Sequence, residues 1–376
     1  MRGVRRVPAQ YLTLFLMATL FVCAAATNGP WWIVQTGGLD TNLRGIAVGE
    51  YQETGEAPVP VIWASGSNDV ILQSKDEGKT WKQFRIPGGD NLDFRSIWAL
   101  DAQRAYVMSS GEGDKSRIYE TTDGGAIWKL EYAGQRKEIF LDALACDGAS
   151  TECMALSDPV DGKFLLLVAT DGEHWQELPR DGMPAALPNE GAFAASGTCL
   201  VFGGSQITFV TGGPAARVFR SSDHGKSWTV SETPIAHGNA SSGIFSIALH
   251  GDEEVAVGGD YKDPNRPDRV AAYSRDGGKT WTLAAQQPGG YRSAVAWING
   301  KTLAAIGPNG EDISEDGGAH WKHTDALNLN ALAILDIGHG WAVGPNGTVA
   351  QMKNRKEHSI RYEGEFRGRK STVSGH

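Results

Sequence analysis

Short runs in which apolar residues alternate or cluster recur along the chain and read as β-strands, Val270-Ala271-Ala272-Tyr273 being typical. After such a run comes a polar turn, Ser274-Arg275-Asp276-Gly277-Gly278-Lys279-Thr280-Trp281, and a further strand leaves behind the Trp. The Asp side chain suits an Asx-type turn, the glycines admit positive φ, and the Trp covers the hairpin it closes. The same unit returns at Asp76 and Trp81, Asp123 and Trp128, Asp171 and Trp175 (one residue short), Asp223 and Trp228, and Asp316 and Trp321. Successive Trp residues lie 47, 47, 53, 53 and 40 residues apart, a period that suits four-stranded propeller blades.

Strands ahead of each turn unit set the blade register. Inner strands are expected to start at Leu43, Phe94, Leu141, Gly191 (Gly191-Ala192-Phe193-Ala194), Ile244, Tyr291 and Leu329. The seventh has two further strands but no turn unit after them, while Trp31-Trp32-Ile33-Val34-Gln35 has the look of an outer strand with no blade of its own. The expected fold is therefore all-β: a seven-bladed propeller of four-stranded antiparallel blades, closed by the N-terminal strand, with six blades and loose ends as the alternative.

The units resemble the Asp-boxes of sialidase-type BNR repeats. The chain as a whole, over roughly residues 29–352, resembles the photosystem II stability/assembly factor-like propellers. That resemblance implies an assembly or scaffolding factor that holds a partner protein and catalyses nothing. It also implies that the boxes are structural and lie on the face away from any binding site.

Composition adds location and charge. Three arginines precede the apolar run Tyr11–Val22, and Ala24-Ala25-Ala26 offers a cleavage site, so residues 1–26 read as a secretory signal and the protein as exported, periplasmic or extracellular. An uncleaved anchor is the other reading of that run. Residues 27–352 form the propeller, and 353–376 read as a charged, disordered tail. Without the three arginines the formal charge of −9 becomes −12; the tail holds seven positive and three negative residues, leaving −16 on residues 27–352. An acidic body excludes the basic stripe that nucleic acid requires and keeps a protein soluble; a monomer is expected. In an exported chain Cys146 and Cys153, facing across a hairpin, are expected to form a disulfide, with Cys199 a buried thiol.

Candidate chemistry gathers on the face opposite the boxes. In the repeat alignment Arg44, Arg95 and Arg292 fall at equivalent places at the channel mouth, with Asp142 and Asn330 at that place in two other blades. Guanidinium forks bind carboxylates, so the ring suggests a protein or peptide partner with acidic side chains. Asp158, Asp161, Asn239 and Tyr261 are expected on the same face. Tyr291 beside Glu190 beneath three arginines also has the ingredients of a sialidase-like or other glycan-acting hydrolase, the alternative function. Against it, sialidases have six blades, and Phe84-Arg85-Ile86-Pro87 follows the first box where their motif precedes it. The Gly-Lys-Thr/Ser triplets at 78, 225 and 278 belong to the boxes and lack the upstream P-loop glycine. The nine histidines show no metal-ligand spacing, and no cofactor fingerprint occurs.

Overall fold

The computed structural model describes residues 31–51, 59–88, 91–148, 152–336 and 338–353. The expected signal, residues 1–26, and the expected tail, residues 353–376, apart from Lys353, lie outside the described residues.

Seven antiparallel sheets form the molecule, six of four strands and one of five. The first blade runs Leu43–Tyr51, Val59–Gly66, Ile71–Ser74, Lys82–Phe84, and the second Phe94–Ala99, Ala105–Ser109, Arg117–Thr121, Lys129–Ala133. The third takes Leu141–Cys146, Cys153–Val160, Lys163–Ala169 and Gln176–Glu177. The first strand of each blade packs on the first strand of the next around the ring, and the seventh, Ala331–Asp336, returns to Leu43–Tyr51. The seven-bladed expectation holds, and so does its closure: Trp32–Thr36 pairs antiparallel with Val349–Met352 as the outer strand of the seventh blade.

The core lies between the blades. Phe164 of the third blade, fully buried, packs on Phe209 (5.1 Å) and Phe219 (5.3 Å) of the fourth, themselves cross-strand neighbours stacked at 4.6 Å. Cys146 and Cys153 are directly opposed in register and joined as a disulfide; Cys199 is buried and free.

Each box is a hydrogen-bonded knot. Asp276 Oδ1 accepts from the Thr280 N–H (2.9 Å) and Oδ2 from the Thr280 hydroxyl (2.7 Å), while Ser274 Oγ accepts from the Gly278 N–H (2.9 Å). Asp76 and Asp223 repeat the arrangement, and Asp123 and Asp316 accept from the N–H four residues ahead. The short box at Asp171 reaches only to Glu173 and His174. The Asx-type turn expected from the sequence is thus present with the carboxylate spanning four residues in the full boxes, and the leading Ser or Thr closes the knot from the other side.

Two expected inner strands are displaced. In the fourth blade the inner strand is Leu200–Gly203, and Gly191–Ala194 is instead a crossing loop whose Gly191 bridges to Gly212 on the edge of the fifth blade's sheet. Phe193 stacking on Phe245 at 3.9 Å holds that loop over the channel rather than in a blade. In the sixth blade the strand starts at Ala294, three residues after Tyr291.

Candidate functional site

A β-bulge recurs at one place in four inner strands, and it builds the site. Register slips between Leu43 and Gly45, Phe94 and Ser96, Leu141 and Ala143, and Ile244 and Ser246. The skipped residues are Arg44, Arg95, Asp142 and Phe245, and all four line one cavity of about 500 Å³. A bulged residue is released from the ladder's strict alternation, so its side chain can turn along the channel axis toward the opening. Asp158, Phe193, Tyr261, Tyr291 and Asn330 complete the wall.

Within this cavity the two arginines are unequally satisfied. Arg95 donates to Asp93 (2.7 Å) and to the Ala194 carbonyl (3.2 Å). Among the described residues no carboxylate lies within ion-pairing distance of Arg44. Its close side-chain acceptor is the neutral Asn42 amide oxygen, 3.0 Å from Nη2 when that amide faces the guanidinium. Burial, and then the neighbouring Arg95 charge, lower the Arg44 pKa from the ordinary arginine value, against the pull of Asp93, which is itself ion-paired with Arg95. A half-buried cation beside a second cation, without its own counterion, is a site for an anion.

Opposite stand two acids. Asp142 is 1 % exposed, and its Oδ2 has no hydrogen-bond partner. Burial, then the nearby Asp158, raise its carboxyl well above the ordinary range, against the opposing pull of Arg95. Asp158 Oδ1 accepts from the Ala192 N–H (2.9 Å), and burial pushes its pKa up to about 6. The apolar wall is aromatic: Tyr291 sets its edge on Phe245 at 4.7 Å, and Tyr261, 46 % exposed, lies edge-on to both Phe193 and Phe245.

Several expected site residues go elsewhere. Arg292 is fully buried: it donates through Nε to Asp312 (2.7 Å), through Nη2 again to Asp312, and through Nη1 to Asn309 and the Tyr291 carbonyl. It precedes its strand instead of occupying a bulge, so the side chain turns into the wedge beside blade six, where a buried carboxylate captures it. Glu190 is equally engaged, accepting from Arg217, the Thr211 hydroxyl and the Leu187 N–H. Tyr291 is 6 % exposed and packed on Phe245, and Glu190 spends its carboxylate on Arg217, Thr211 and Leu187 instead of on Tyr291, so the Tyr–Glu pair of a sialidase-like site is not assembled. Asp161 occupies a hairpin with positive φ and pairs with Arg136 at 3.1 Å. Asn239 braces a turn through Asp260 (3.0 Å) and Ser241. Neither Asp161 nor Asn239 lines the mouth cavity.

Phe245 and Phe193 escaped the sequence reading. Phe245 was signalled all the same, since Ile244-Phe245-Ser246 aligns with Leu43-Arg44-Gly45. A larger cavity of about 660 Å³ lies over blades two and three, but its charges pair locally, Lys137 with Glu112 and Arg136 with Asp161. No cluster able to hold a metal ion occurs among the described residues, and no helix there is long and apolar enough to cross a membrane.

Comparisons with known proteins agree with this architecture. Residues 272–283, the fifth box, match the BNR/Asp-box repeat family. No curated protein matches the chain in sequence. Among solved structures, YCF48 bound to a D1 peptide is similar at TM-score 0.60 and 13 % identity, over 86 % of this chain and 97 % of that one. YCF48 from Cyanidioschyzon merolae follows at 0.55 and 15 %, over 86 % and 98 %. The computationally designed protein Ika8 shares the architecture at 0.52 and 10 %, over 86 % and 100 %. The chain is a seven-bladed propeller that carries a BNR/Asp-box repeat and is similar in fold to YCF48, in keeping with the resemblance to photosystem II stability/assembly factor-like propellers. The likeness to a designed ring shows why fold alone assigns no activity.

Proposed function

We propose that this chain is an exported, non-enzymatic binding propeller that holds an acidic peptide segment of a partner protein at its channel mouth. The observation that carries the reading is Arg44, half-buried beside Arg95 in a cavity of about 500 Å³ and without a carboxylate of its own among the described residues. A ligand carboxylate supplies the missing counterion, and the Phe193, Phe245 and Tyr261 wall receives an apolar neighbour on the same peptide. That a similar propeller, YCF48, has been solved bound to a peptide supports the reading.

The test is capture of partners from the exported compartment by the wild type, by Arg44→Ala with Arg95→Ala, and by Arg292→Ala. A partner retained by the wild type and by Arg292→Ala, provided each is folded, and lost only from the double variant is the expected result. Equal capture by all three, or no partner at all, refutes the mouth as a protein-binding site.

A further inference from the structure

Asp142 occupies the same bulge place as the two arginines yet is an acid, and it lines the cavity wall with its buried Oδ2 lacking a hydrogen-bond partner. An ionised Asp142 would bear a buried charge that Arg95 and the Asp158 and Ala194 backbone N–H groups offset only in part. The groups facing it define what it can be. From the first blade comes Arg44, from the second Arg95 and Asp93, from its own blade Asp158, from the strand entry of the fourth the Cys199 thiol, and from the far wall Tyr261 and Tyr291. Arg95 is already engaged by Asp93 and the Ala194 carbonyl. Asp158, whose Oδ1 is held by the Ala192 N–H, adds like charge whenever it ionises.

Resting on the mouth as an anion site, we propose that Asp142 serves there as a neutral acid, its Oδ2 carrying a proton that it donates in a hydrogen bond to the carboxylate of the bound peptide. With Arg44 and Arg95 it presents three donor groups to one carboxylate. A carboxylic acid held neutral in an apolar setting so that it can donate is a known device for stabilising an oxyanion. The acid is also selective: it rewards an acceptor and penalises a ligand amide whose N–H₂ would face the guanidiniums. Asp158 sets the working range. When it loses its proton above about pH 6 a negative charge appears beside the ligand carboxylate, so affinity falls as pH rises.

The probe is the blocked dipeptide N-acetyl-phenylalanyl-glutamate amide, with its glutamine counterpart as the neutral control, titrated by NMR into folded wild type and variants. The glutamate form is expected to bind wild type at least about tenfold tighter than the glutamine form. Asp142→Asn, which keeps an N–H donor, should stay within about threefold, and Asp142→Leu should weaken binding by about tenfold or more. Raising pH from about 5 to about 8 should weaken wild type by about tenfold, and Asp158→Asn should remove that dependence. Tighter binding by both Asp142 variants would mean an ionised Asp142, and unchanged binding by Asp142→Leu would mean no hydrogen bond; either overturns the donor role while leaving the mouth as the binding site. Glutamate and glutamine forms bound alike, or binding unaffected by Arg44→Ala with Arg95→Ala, overturns both. A readout that does not depend on any variant is the Asp142 carboxyl carbon resonance of the free protein. It should show the shift of a protonated carboxyl at neutral pH, and a carboxylate shift there overturns the donor role.

Discussion

Removing the Arg292 side chain would leave the Asp312 carboxylate buried with its counterion gone, for both are at most 1 % exposed. Arg292→Ala is expected to cost about 3–5 kcal/mol, whereas Arg44→Ala, which breaks no ion pair, should cost under about 1 kcal/mol; urea unfolding midpoints separate the two. Both arginines sit second in aligned repeats, and their different fates show what the sequence could and could not tell. Position in the repeat was legible because the boxes mark it every blade. Whether the position is a bulge open to the channel or a pre-strand turn beside a carboxylate depends on Asp312, twenty residues on, and no local pattern announces that pairing. The box carboxylates were legible throughout, since their partners lie within four residues. Asp223 and Asp276 are held down to about 2 by hydroxyl and backbone donors in the same turn. Their folded-state values lie below the unfolded one, so they bind fewer protons when folded. The stability they contribute is present above about pH 4 and is lost as pH falls through about 2. An acid-unfolding midpoint that rises in pH when both are replaced by Asn is the expected outcome.

At the scale of elements, the closing strand Trp32–Thr36 is secured by more than its ladder. The Trp32 indole N–H donates to Glu311, a fully buried carboxyl of blade six that also accepts from the Thr324 hydroxyl. Burial pushes Glu311 up to about 7, above its unfolded value, so the folded chain binds the extra proton. Stability is therefore greatest below about pH 4.5 as far as this group is concerned, and declines as pH rises through about 7. Glu311→Gln, neutral at every pH, is expected to melt higher than wild type at about pH 8 and to lose that advantage at about pH 4, as thermal unfolding by circular dichroism would show. The strand was legible from Trp31-Trp32-Ile33-Val34-Gln35 alone, a box-less outer strand matched to a blade lacking one. The crossing loop at Gly191–Ala194 was not, because a glycine–alanine–phenylalanine run has the composition of a strand. Only the stacking partner, Phe245 of the next blade, decides that it lies across the mouth instead.

For the whole molecule, closure joins residues more than 300 positions apart: Trp32 faces Met352 in the ladder, and the Lys353 N–H donates to the Trp31 carbonyl at 2.8 Å. Seven sheets are thereby a ring without a free radial gap, and the bulges of blades one, two, three and five can point at one centre. The closing pair also fixes where the chain enters and leaves the ring. Trp31 and Lys353 are hydrogen-bonded neighbours at the outer edge of blade seven, so the segments that precede and follow the propeller depart from a single point on its circumference. The two ends of the described chain therefore meet on the rim of the disc and not at its mouth, whose lining includes neither.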